Sequence, residues 1–270
     1  MNTDMSRDWI VPDWPAPPWV GALFTTRAGG VSRPPFDSFN LGDHVQDDAA
    51  AVAYNRALLA QCSGVEPGFL QQVHGVQVVD AGQVQGCAPQ ADACFTQQPG
   101  IGCTVMVADC LPVLLAHRRF PIVGAAHAGW RGLADGVIEQ LHARMRQTLV
   151  AQGRGQDAGS DWLAWLGPCI GPTAFEVGSE VRATFVRHAA AATAAFQPGA
   201  REGKWLANLP LLARQRLQAM GIGAIHGNDG GLPWCTYSQE QRFFSYRRQA
   251  RTGRMAAMVW IRDGCPFSAV

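Results

Sequence analysis

Three strongly apolar segments of the sequence each carry one residue that commonly binds soft or borderline metals. Residues 71–75 contain His74, residues 105–110 end in Cys110, and residues 124–130 contain His127. Two imidazoles and one thiolate suit zinc or copper, and three protein ligands leave a fourth position open for water or substrate. A structural zinc site would need a fourth cysteine or histidine. We therefore expect the three segments to converge, with His74, Cys110 and His127 as metal ligands and catalytic residues.

The spacing of Cys110 and His127 predicts that they lie side by side. Residues 112–117 and 120–127 read as two strands joined at Arg118 and Arg119. In a hairpin centred on these arginines, residues equally far from the turn on either side are paired, and this register places Cys110 opposite His127. Opposed side chains have Cβ atoms about 4.5–5.5 Å apart. Two features weaken this register, because Arg-Arg is a poor tight-turn pair and the segment contains two prolines. A slip of one residue would move one of the pair to the other face.

The three residues have two chemical interpretations. They could hold a metal, or His127 could lower the pKa of the Cys110 thiol, which would then attack a carbonyl carbon. For any one of them alone, a structural role beside a core strand is the commoner case. Asp109 is a further catalytic candidate, although in a regular strand it points away from Cys110 and needs a bulge to reach the same site.

Strand and helix patterns are interleaved along the chain and hairpins are present, which predicts an α/β fold of mixed sheets with helices outside. A strand is predicted at residues 70–80, where alternation places Gln72 and His74 on one face. An apolar stripe from Leu133 to Leu149 predicts a helix directly after the third ligand segment.

The composition favours one compact domain spanning residues 1–270. Charged residues make up 16% of the chain, against roughly 25% in an average soluble protein, and hydrophobic residues make up 47%. No linker or block of charge divides the sequence. The net charge of +1 gives no reason to expect a nucleic acid or a membrane as partner, and we expect no protein partner.

The cysteines indicate a reducing compartment. The chain has eight cysteines, but its first residues lack a secretory signal and no Cys-x-x-Cys pair occurs. We therefore expect a cytoplasmic protein whose other cysteines are mostly small buried hydrophobic residues.

Several polar residues are candidates for substrate binding. Arg27, Gly29, Gly30 and Ser32 could form a cradle of backbone N–H groups beside a guanidinium, although an ordinary turn is the commoner structure for such a segment. Arg131 begins the helix predicted after His127, where an anion would meet helix N–H groups and a cation together; the alternative is a surface arginine. The set is completed by Asn40, in the polar segment 39–44, and Gln72. His44 and Cys169 are not expected to be ligands.

A series of motifs resembles a single family. They are TTRAGGVS at 25–32, FNLG at 39–42, QQVHG at 71–75, ADA at 91–93, ADCLPV at 108–113, AHAGWRG at 126–132, GPCI at 167–170, FSYRR at 244–248 and TGR at 252–254. They are similar to those of the bacterial purine nucleoside phosphorylases once described as laccase-like polyphenol oxidases, a family that also contains the peptidoglycan editing factor. The resemblance spans nearly the whole chain, in order.

The resemblance implies a single α/β domain of layered mixed sheets flanked by helices, related to Cys–His hydrolases of the deamidase type. It implies His74, Cys110 and His127 as metal ligands, with zinc usual and copper the alternative. The implied activities are phosphorolysis of adenosine, inosine, guanosine and methylthioadenosine, and deamination of adenosine, so the partners are a small-molecule nucleoside and phosphate. The editing-factor branch instead hydrolyses L-serine from a UDP-linked muramoyl precursor.

Three alternatives compete with a metal-dependent phosphorylase. A metal-free cysteine amidohydrolase acting on the peptidoglycan precursor would use the same residues. A copper-dependent polyphenol oxidase is disfavoured, because multicopper oxidases need many histidines in paired clusters and the chain has seven in all. A non-catalytic metal-dependent binding module would require that no substrate turns over.

Overall fold

The computed structural model of the chain describes residues 8–83, 88–156 and 158–264, so the ends and two short stretches of the predicted 1–270 domain lie outside the described residues. Within the described ranges, strands and helices are interleaved as predicted. The strands are β1 (Val20–Phe24), β2 (Glu66–Gly68), β3 (Val78–Asp80), β4 (Ala93–Thr96), β5 (Ile101–Val107), β6 (Leu111–His117), β7 (Val123–Ala128), β8 (Trp162–Leu166), β9 (Glu176–Gly178), β10 (Phe196–Pro198), β11 (Lys204–Ala207), β12 (Ala224–Gly227) and β13 (Met255–Ile261). The α-helices are α1 (Ala49–Ser63), α2 (Trp130–Asp135), α3 (Val137–Ala151), α4 (Ser179–His188) and α5 (Leu209–Ala219).

The strands form three sheets. The largest has six strands in the order β12-β8-β6-β7-β4-β3, the second has four in the order β1-β13-β5-β2, and the third has three in the order β10-β11-β9. Parallel and antiparallel pairs occur in one sheet, since β12 runs parallel to β8 whereas β6 runs antiparallel to both β8 and β7. The predicted fold class, an α/β fold of mixed sheets flanked by helices, is confirmed.

The six-stranded sheet is buried on both faces. Leu114 of β6 packs in one cluster with Val259 of the four-stranded sheet. The next residue, Leu115, points to the other face and packs with Leu141 of α3 and Leu217 of α5. Because both faces are covered, the central strands read as continuous apolar runs in the sequence.

The hairpin of β6 and β7 forms, but the predicted register is wrong by two residues. His127 pairs with Pro112, so Cys110 lies just before β6, and continuing the ladder would place it opposite Gly129. The connection between the strands spans residues 118–122 and is therefore longer than a two-residue Arg-Arg turn. The His117 Nδ1 atom stabilises this longer loop, because it accepts hydrogen bonds from the backbone N–H groups of Arg119 and Phe120 at 3.1 and 3.0 Å. A shift of two residues preserves the face of each side chain. Cys110 and His127 therefore still meet.

The predicted strand at residues 70–80 is wrong for most of its length. Only Val78–Asp80 is a strand, and His74 has a left-handed backbone with φ of 62°. The reason is that the backbone N–H groups of Val73, His74 and Gly75 bind the Asp92 carboxylate. Residues that donate to one carboxylate cannot also form a ladder with a strand.

The helix predicted after His127 is interrupted. The chain forms α2 and α3, separated by Gly136 with φ of 97°. The predicted apolar stripe is nevertheless buried from Leu133 to Leu149. Within the described residues, no helix combines the length and apolar character needed to cross a bilayer.

We expect Leu141→Ala to lower the free energy of unfolding by about 2–5 kcal/mol, because it leaves a cavity between α3 and the six-stranded sheet. Val150→Ala is a matched control on the same helix, since Val150 is 55% exposed, and we expect it to change stability by less than about 0.5 kcal/mol. Urea denaturation followed by circular dichroism measures both. Equal effects of the two variants would contradict this packing.

Candidate metal centre and active site

A cavity of about 490 Å³ opens where β6 begins and β7 ends. Its volume lies within the range of about 300–1,000 Å³ that is typical of small-molecule sites. The three predicted ligands line it together with an apolar set and a polar set. The apolar residues are Met106, Val107, Ala108, Trp130, Ile170, Phe175 and Leu209, and the polar residues are His44, Gln72, Asp109, Arg131, Tyr246, Arg247 and Arg254.

The structure brings His74, Cys110 and His127 together. One potential ligand atom from each lies within 4.8 Å of the others. The Cys110 Sγ and His74 Nε2 atoms are 3.8 Å apart, and the two imidazole rings meet edge to face with centroids 4.8 Å apart. His127 is buried and His74 is exposed. The group therefore lines the cavity with one imidazole in the core and the other in contact with solvent.

Asp92 holds two of the three residues in place. Its buried carboxylate accepts a hydrogen bond from the His127 Nδ1 atom at 2.8 Å. The same carboxylate accepts the backbone N–H groups of Val73, His74 and Gly75 at 2.7–3.1 Å. With Nδ1 of His127 occupied, the Nε2 atom of that ring remains available to a ligand.

Asp92 was not predicted as a site residue from the sequence, although it lies in the ADA motif at 91–93. The signal was a carboxylate between alanines at the start of a buried strand. The register of β4 and β7 explains the contact between Asp92 and His127, because these antiparallel strands pair Ala93 with Ala126. The next position places Asp92 beside His127, whose backbone N–H donates to the Asp92 carbonyl at 2.7 Å.

The charges of the site stabilise a thiolate. Burial by itself raises the pKa of Cys110, but the charge and hydrogen bond of His127 and the hydrogen bond of His74 lower it to about 6. Burial lowers the pKa of His127, but the Cys110 thiolate and the Asp92 carboxylate raise it to about 9. Burial raises the pKa of Asp92, yet its hydrogen bonds from His127 and the loop keep it below the ordinary value. The thiolate is the form of cysteine that binds metals and attacks carbon.

Gly129 leaves the space in which the ligands meet. A Cβ at this position would lie 2.9 Å from the His74 Cδ2 atom and 3.0 Å from the Cys110 Sγ atom. Any side chain here would push His74 and Cys110 apart. The glycine of the AHAGWRG segment is therefore a requirement of the site.

The donor set and its spacing fit a transition metal. Zinc bonds of about 2.0–2.3 Å in a tetrahedron place ligand atoms about 3.3–3.8 Å apart. The 3.8 Å between Sγ and Nε2 agrees with this, and the widest separation of 4.8 Å is somewhat larger. No other histidine, cysteine or carboxylate of the described residues joins the group, so a bound metal would keep a coordination position facing the cavity.

Asp109 lines the cavity but is held by two hydrogen bonds. Its backbone is left-handed with φ of 93°, so this conformation, between β5 and β6, brings Asp109 to the cavity in place of the bulge that a regular strand would have required. Its carboxylate accepts the Thr236 hydroxyl and the Arg247 backbone N–H, each at 2.6 Å. Asp109 therefore fixes the segment that carries Arg247 against the cavity.

Two of the predicted substrate-binding residues line the cavity. Gln72 does so while its amide bonds both backbone groups of Met106, at 2.7 and 2.8 Å. Arg131 is exposed and stacks over the Trp130 ring at 4.4 Å. Of these two, Arg131 has its charge free for a substrate.

The predicted cradle of Arg27, Gly29, Gly30 and Ser32 does not line this cavity. Arg27 borders a separate cleft with Asp37 and Glu240, and it pairs with the Asp37 carboxylate at 3.1 Å. Two N–H groups of the predicted cradle have partners within the protein: Gly30 donates to the Ser38 hydroxyl, and Ser32 donates to the Ser38 carbonyl. The loop lies outside this cavity, and the ordinary turn, the commoner structure for such a segment, describes it better than an anion cradle at this site.

Asn40 is fully buried and does not line the cavity. Its side chain bonds Gly42 and Asp47 and accepts the backbone N–H of Arg254. Arg247 and Arg254, which do line the cavity, were not predicted as site residues. They belong to the FSYRR and TGR motifs of the chain's C-terminal part.

We expect Asp92→Asn to weaken metal binding by about 10–100-fold, because an amide cannot accept the His127 Nδ1–H and the three loop N–H groups together and does not raise the basicity of the His127 ligand as a carboxylate does. Competition with a chromophoric chelator measures the affinity. Asp80→Asn, on the neighbouring strand β3, is the matched control and should leave it unchanged. Unaltered affinity in Asp92→Asn would contradict the role given to this carboxylate.

In metal-stripped protein, the alkylation of Cys110 by iodoacetamide should be nearly independent of pH above about 7. It should fall below the Cys110 pKa of about 6, where the thiol is protonated. Mass spectrometry of the Cys110 peptide gives the rate, with Cys110→Ala protein as background. A rate that still rises tenfold from pH 7 to pH 8 would mean that the thiol is not activated.

Comparisons with known proteins agree with the motifs. The family model described as multi-copper polyphenol oxidoreductase laccase matches residues 21–262. A purine nucleoside phosphorylase of Pseudomonas aeruginosa is 51% identical over 94% of this chain and 99% of its own length. The purine nucleoside phosphorylase YfiH of Escherichia coli is 46% identical over 93% and 98%.

A solved structure gives the same picture of the fold. The crystal structure of the Neisseria meningitidis protein NMB0706 superposes with a TM-score of 0.87 at 42% identity, covering 95% of this chain and all of the other. The chain belongs to the family of multi-copper polyphenol oxidoreductase laccase proteins, whose curated members include the YfiH-type purine nucleoside phosphorylases.

Proposed function

We propose that the protein is a metal-dependent purine nucleoside phosphorylase acting on adenosine, inosine, guanosine and methylthioadenosine, with adenosine deaminase activity. One observation carries the proposal. The His74–Cys110–His127 group opens into a cavity of about 490 Å³ that has apolar walls and arginines at its rim. The names of the relatives support the class of substrate.

The walls suit a purine base. Trp130 and Phe175 provide aromatic surface, and Ile170 and Leu209 provide aliphatic surface, all facing the same space. A flat heterocycle stacks well on aromatic side chains and gains free energy by leaving water. This part of the cavity would hold the base, and the arginine side would hold the sugar and phosphate.

The metal would be held by His74, Cys110 and His127, with zinc expected and copper the alternative. When bound, it supplies a Lewis acid that polarises an oxygen of substrate or water. The Asp92 carboxylate accepts a hydrogen bond from the proton-bearing Nδ1 of His127. The opposite ring nitrogen, Nε2, therefore keeps its lone pair for the metal. His44 lines the cavity, and burial and the Arg254 charge lower its pKa. A neutral imidazole there can accept a proton from the attacking water or phosphate and then pass it to a departing amino group or base.

A second candidate is a cysteine-type amidohydrolase that removes L-serine from a UDP-muramoyl peptidoglycan precursor. The observation that favours it is the series Cys110–His127–Asp92. A thiol of pKa about 6 faces an imidazole that is oriented by a buried carboxylate. This is the arrangement of nucleophile, base and orienting group found in cysteine hydrolases.

One experiment tests both candidates. Purified protein, either stripped by chelator or reloaded with zinc, is incubated with the nucleosides and with the serine-containing precursor, with and without phosphate. Release of purine base that requires both metal and phosphate supports the phosphorylase. Release of serine by the stripped protein supports the amidohydrolase. The proposed function is wrong if the reloaded protein cleaves no nucleoside.

We expect Cys110→Ala to lower kcat/KM roughly 10³-fold or more in either case, as the loss of a central catalytic group does. Its circular dichroism and thermal midpoint should stay close to those of the unchanged protein. Cys62→Ala is the matched control, because Cys62 is an exposed thiol on α1 outside the cavity. Turnover by Cys110→Ala near the unchanged rate would remove Cys110 from the reaction.

A further inference from the structure

Arg254 is a cation in the cavity wall that has no acidic partner in the part of the chain that the structure describes. Its Nη1 atom donates to the carbonyls of Thr252 and Gly253 at 3.0 and 3.1 Å. Among the described residues, no carboxylate lies within ion-pair distance of it, and its Nε and Nη2 atoms have no hydrogen-bond partner. A half-buried guanidinium with free donors facing a cavity is suited to bind an anion in two-pronged fashion.

The buried Asn40 side chain fixes the backbone of Arg254. The Asn40 Oδ1 atom accepts the Arg254 N–H at 2.8 Å, and the Leu41 N–H donates to the Arg254 carbonyl at 3.1 Å. Arg254 is thereby held on both sides directly before strand β13. This contact accounts for an asparagine that sequence reasoning assigned to the substrate.

Gly42 leaves room for the Arg254 side chain. A Cβ on Gly42 would lie 2.7 Å from the Arg254 Cγ atom and 3.2 Å from its Cβ atom. Arg254 could not keep its position beside an alanine there. The FNLG segment therefore serves Arg254 through the amide of Asn40 and the absence of a side chain at Gly42.

The charge of Arg254 interacts electrostatically with Cys110, Asp109 and His44. Burial lowers the pKa of Arg254, while the negative charges of Cys110 and Asp109 raise it. The same guanidinium lowers the pKa of His44. An arginine stays protonated at physiological pH despite such shifts, so a positive charge always stands beside the metal ligands.

The other arginines are less suited to an anion at the metal. Arg27 is paired with Asp37 and borders a different cleft. Arg131 is exposed and stacks on Trp130. Arg247 donates through Nη1 to the Glu176 carbonyl. Arg254 alone among these four combines free donors with electrostatic contact to Cys110.

We propose that Arg254 binds the phosphate that attacks the nucleoside, and that Asn40 and Gly42 are the residues that position it. This rests on the phosphorylase function proposed above. In that reaction an oxygen of phosphate forms a bond to C1′ while the C1′–N9 bond breaks. The electron pair of the broken bond and the proton that the hydrogen phosphate loses go to the purine, and the products are the free base and a sugar 1-phosphate. The cation lowers the repulsion among the phosphate charges and orients one oxygen toward C1′.

The test compares Arg254→Gln, Arg254→Lys and Gly42→Ala in zinc-loaded protein. The measurements are the KM for phosphate in inosine phosphorolysis, the rate of adenosine deamination without phosphate, and phosphate binding by calorimetry. Arg254→Gln should raise the phosphate KM and dissociation constant by about tenfold to a hundredfold, while deamination changes less than about threefold. Arg254→Lys, which keeps the charge but not the planar fork, should be intermediate.

Gly42→Ala keeps the guanidinium and displaces it, so it should also raise the phosphate KM while sparing deamination. Arg251→Gln is the matched control. Arg251 is exposed, donates to the Gln46 carbonyl, lies over the Phe36 ring and does not line the cavity, so this variant should behave like the unchanged protein. If Arg254→Gln does not fold, Gly42→Ala and Arg254→Lys still decide the question.

Two results overturn the inference and leave the phosphorylase standing. One is an unchanged phosphate KM and dissociation constant in Arg254→Gln or, if that protein does not fold, in both Arg254→Lys and Gly42→Ala. The other is an equal loss of phosphorolysis and deamination, which would make Arg254 structural. A rise in phosphate KM in Arg131→Gln but not in the Arg254 variants would assign the anion to Arg131. Absence of phosphorolysis in the unchanged protein would overturn the inference together with the proposed function.

Discussion

The buried carboxylate of Asp92 is the interaction on which the candidate site depends. It gathers three successive backbone N–H groups of the loop 73–75 and, on the same two oxygens, the imidazole of His127. These bonds hold His74 in a left-handed conformation, which is uncommon for residues other than glycine. A buried carboxylate that loses its partners is costly, so the loop and the strand are held in one geometry. Two of the three ligand segments are thus positioned by one side chain.

The third segment is positioned by a separate device. Asp109 turns the chain between β5 and β6, and its carboxylate binds Thr236 and the backbone of Arg247. Cys110 follows this turn and enters the site opposite the open space at Gly129. The two aspartates therefore do analogous work, each tying a ligand-bearing segment to a distant part of the chain. The cavity between them acquires apolar walls from the helices and cations from the C-terminal part.

Particular residues explain how far sequence reasoning reaches. His74, Cys110 and His127 could be grouped because each is a chemically distinctive residue in an apolar frame, and a register error of two residues left their faces unchanged. The sequence alone does not show which of Arg27 and Arg254 is available to a substrate, since both are arginines near glycines in motifs. Their difference lies in partners remote in the chain. Asp37 and the Glu240 carbonyl bind Arg27, whereas no carboxylate of the described residues pairs with Arg254.

The sequence by itself determined the fold class, the strands and helices with strong apolar patterns, and the grouping of the three candidate metal ligands. These depend on local periodicity and on chemistry that each side chain carries alone. Only the tertiary structure decided the loop at His74, the break at Gly136, the role of Asp92 and the choice among arginines. Those depend on which backbone groups and charges meet across long separations, and hydrogen-bond partners of that kind leave no local pattern in a single sequence.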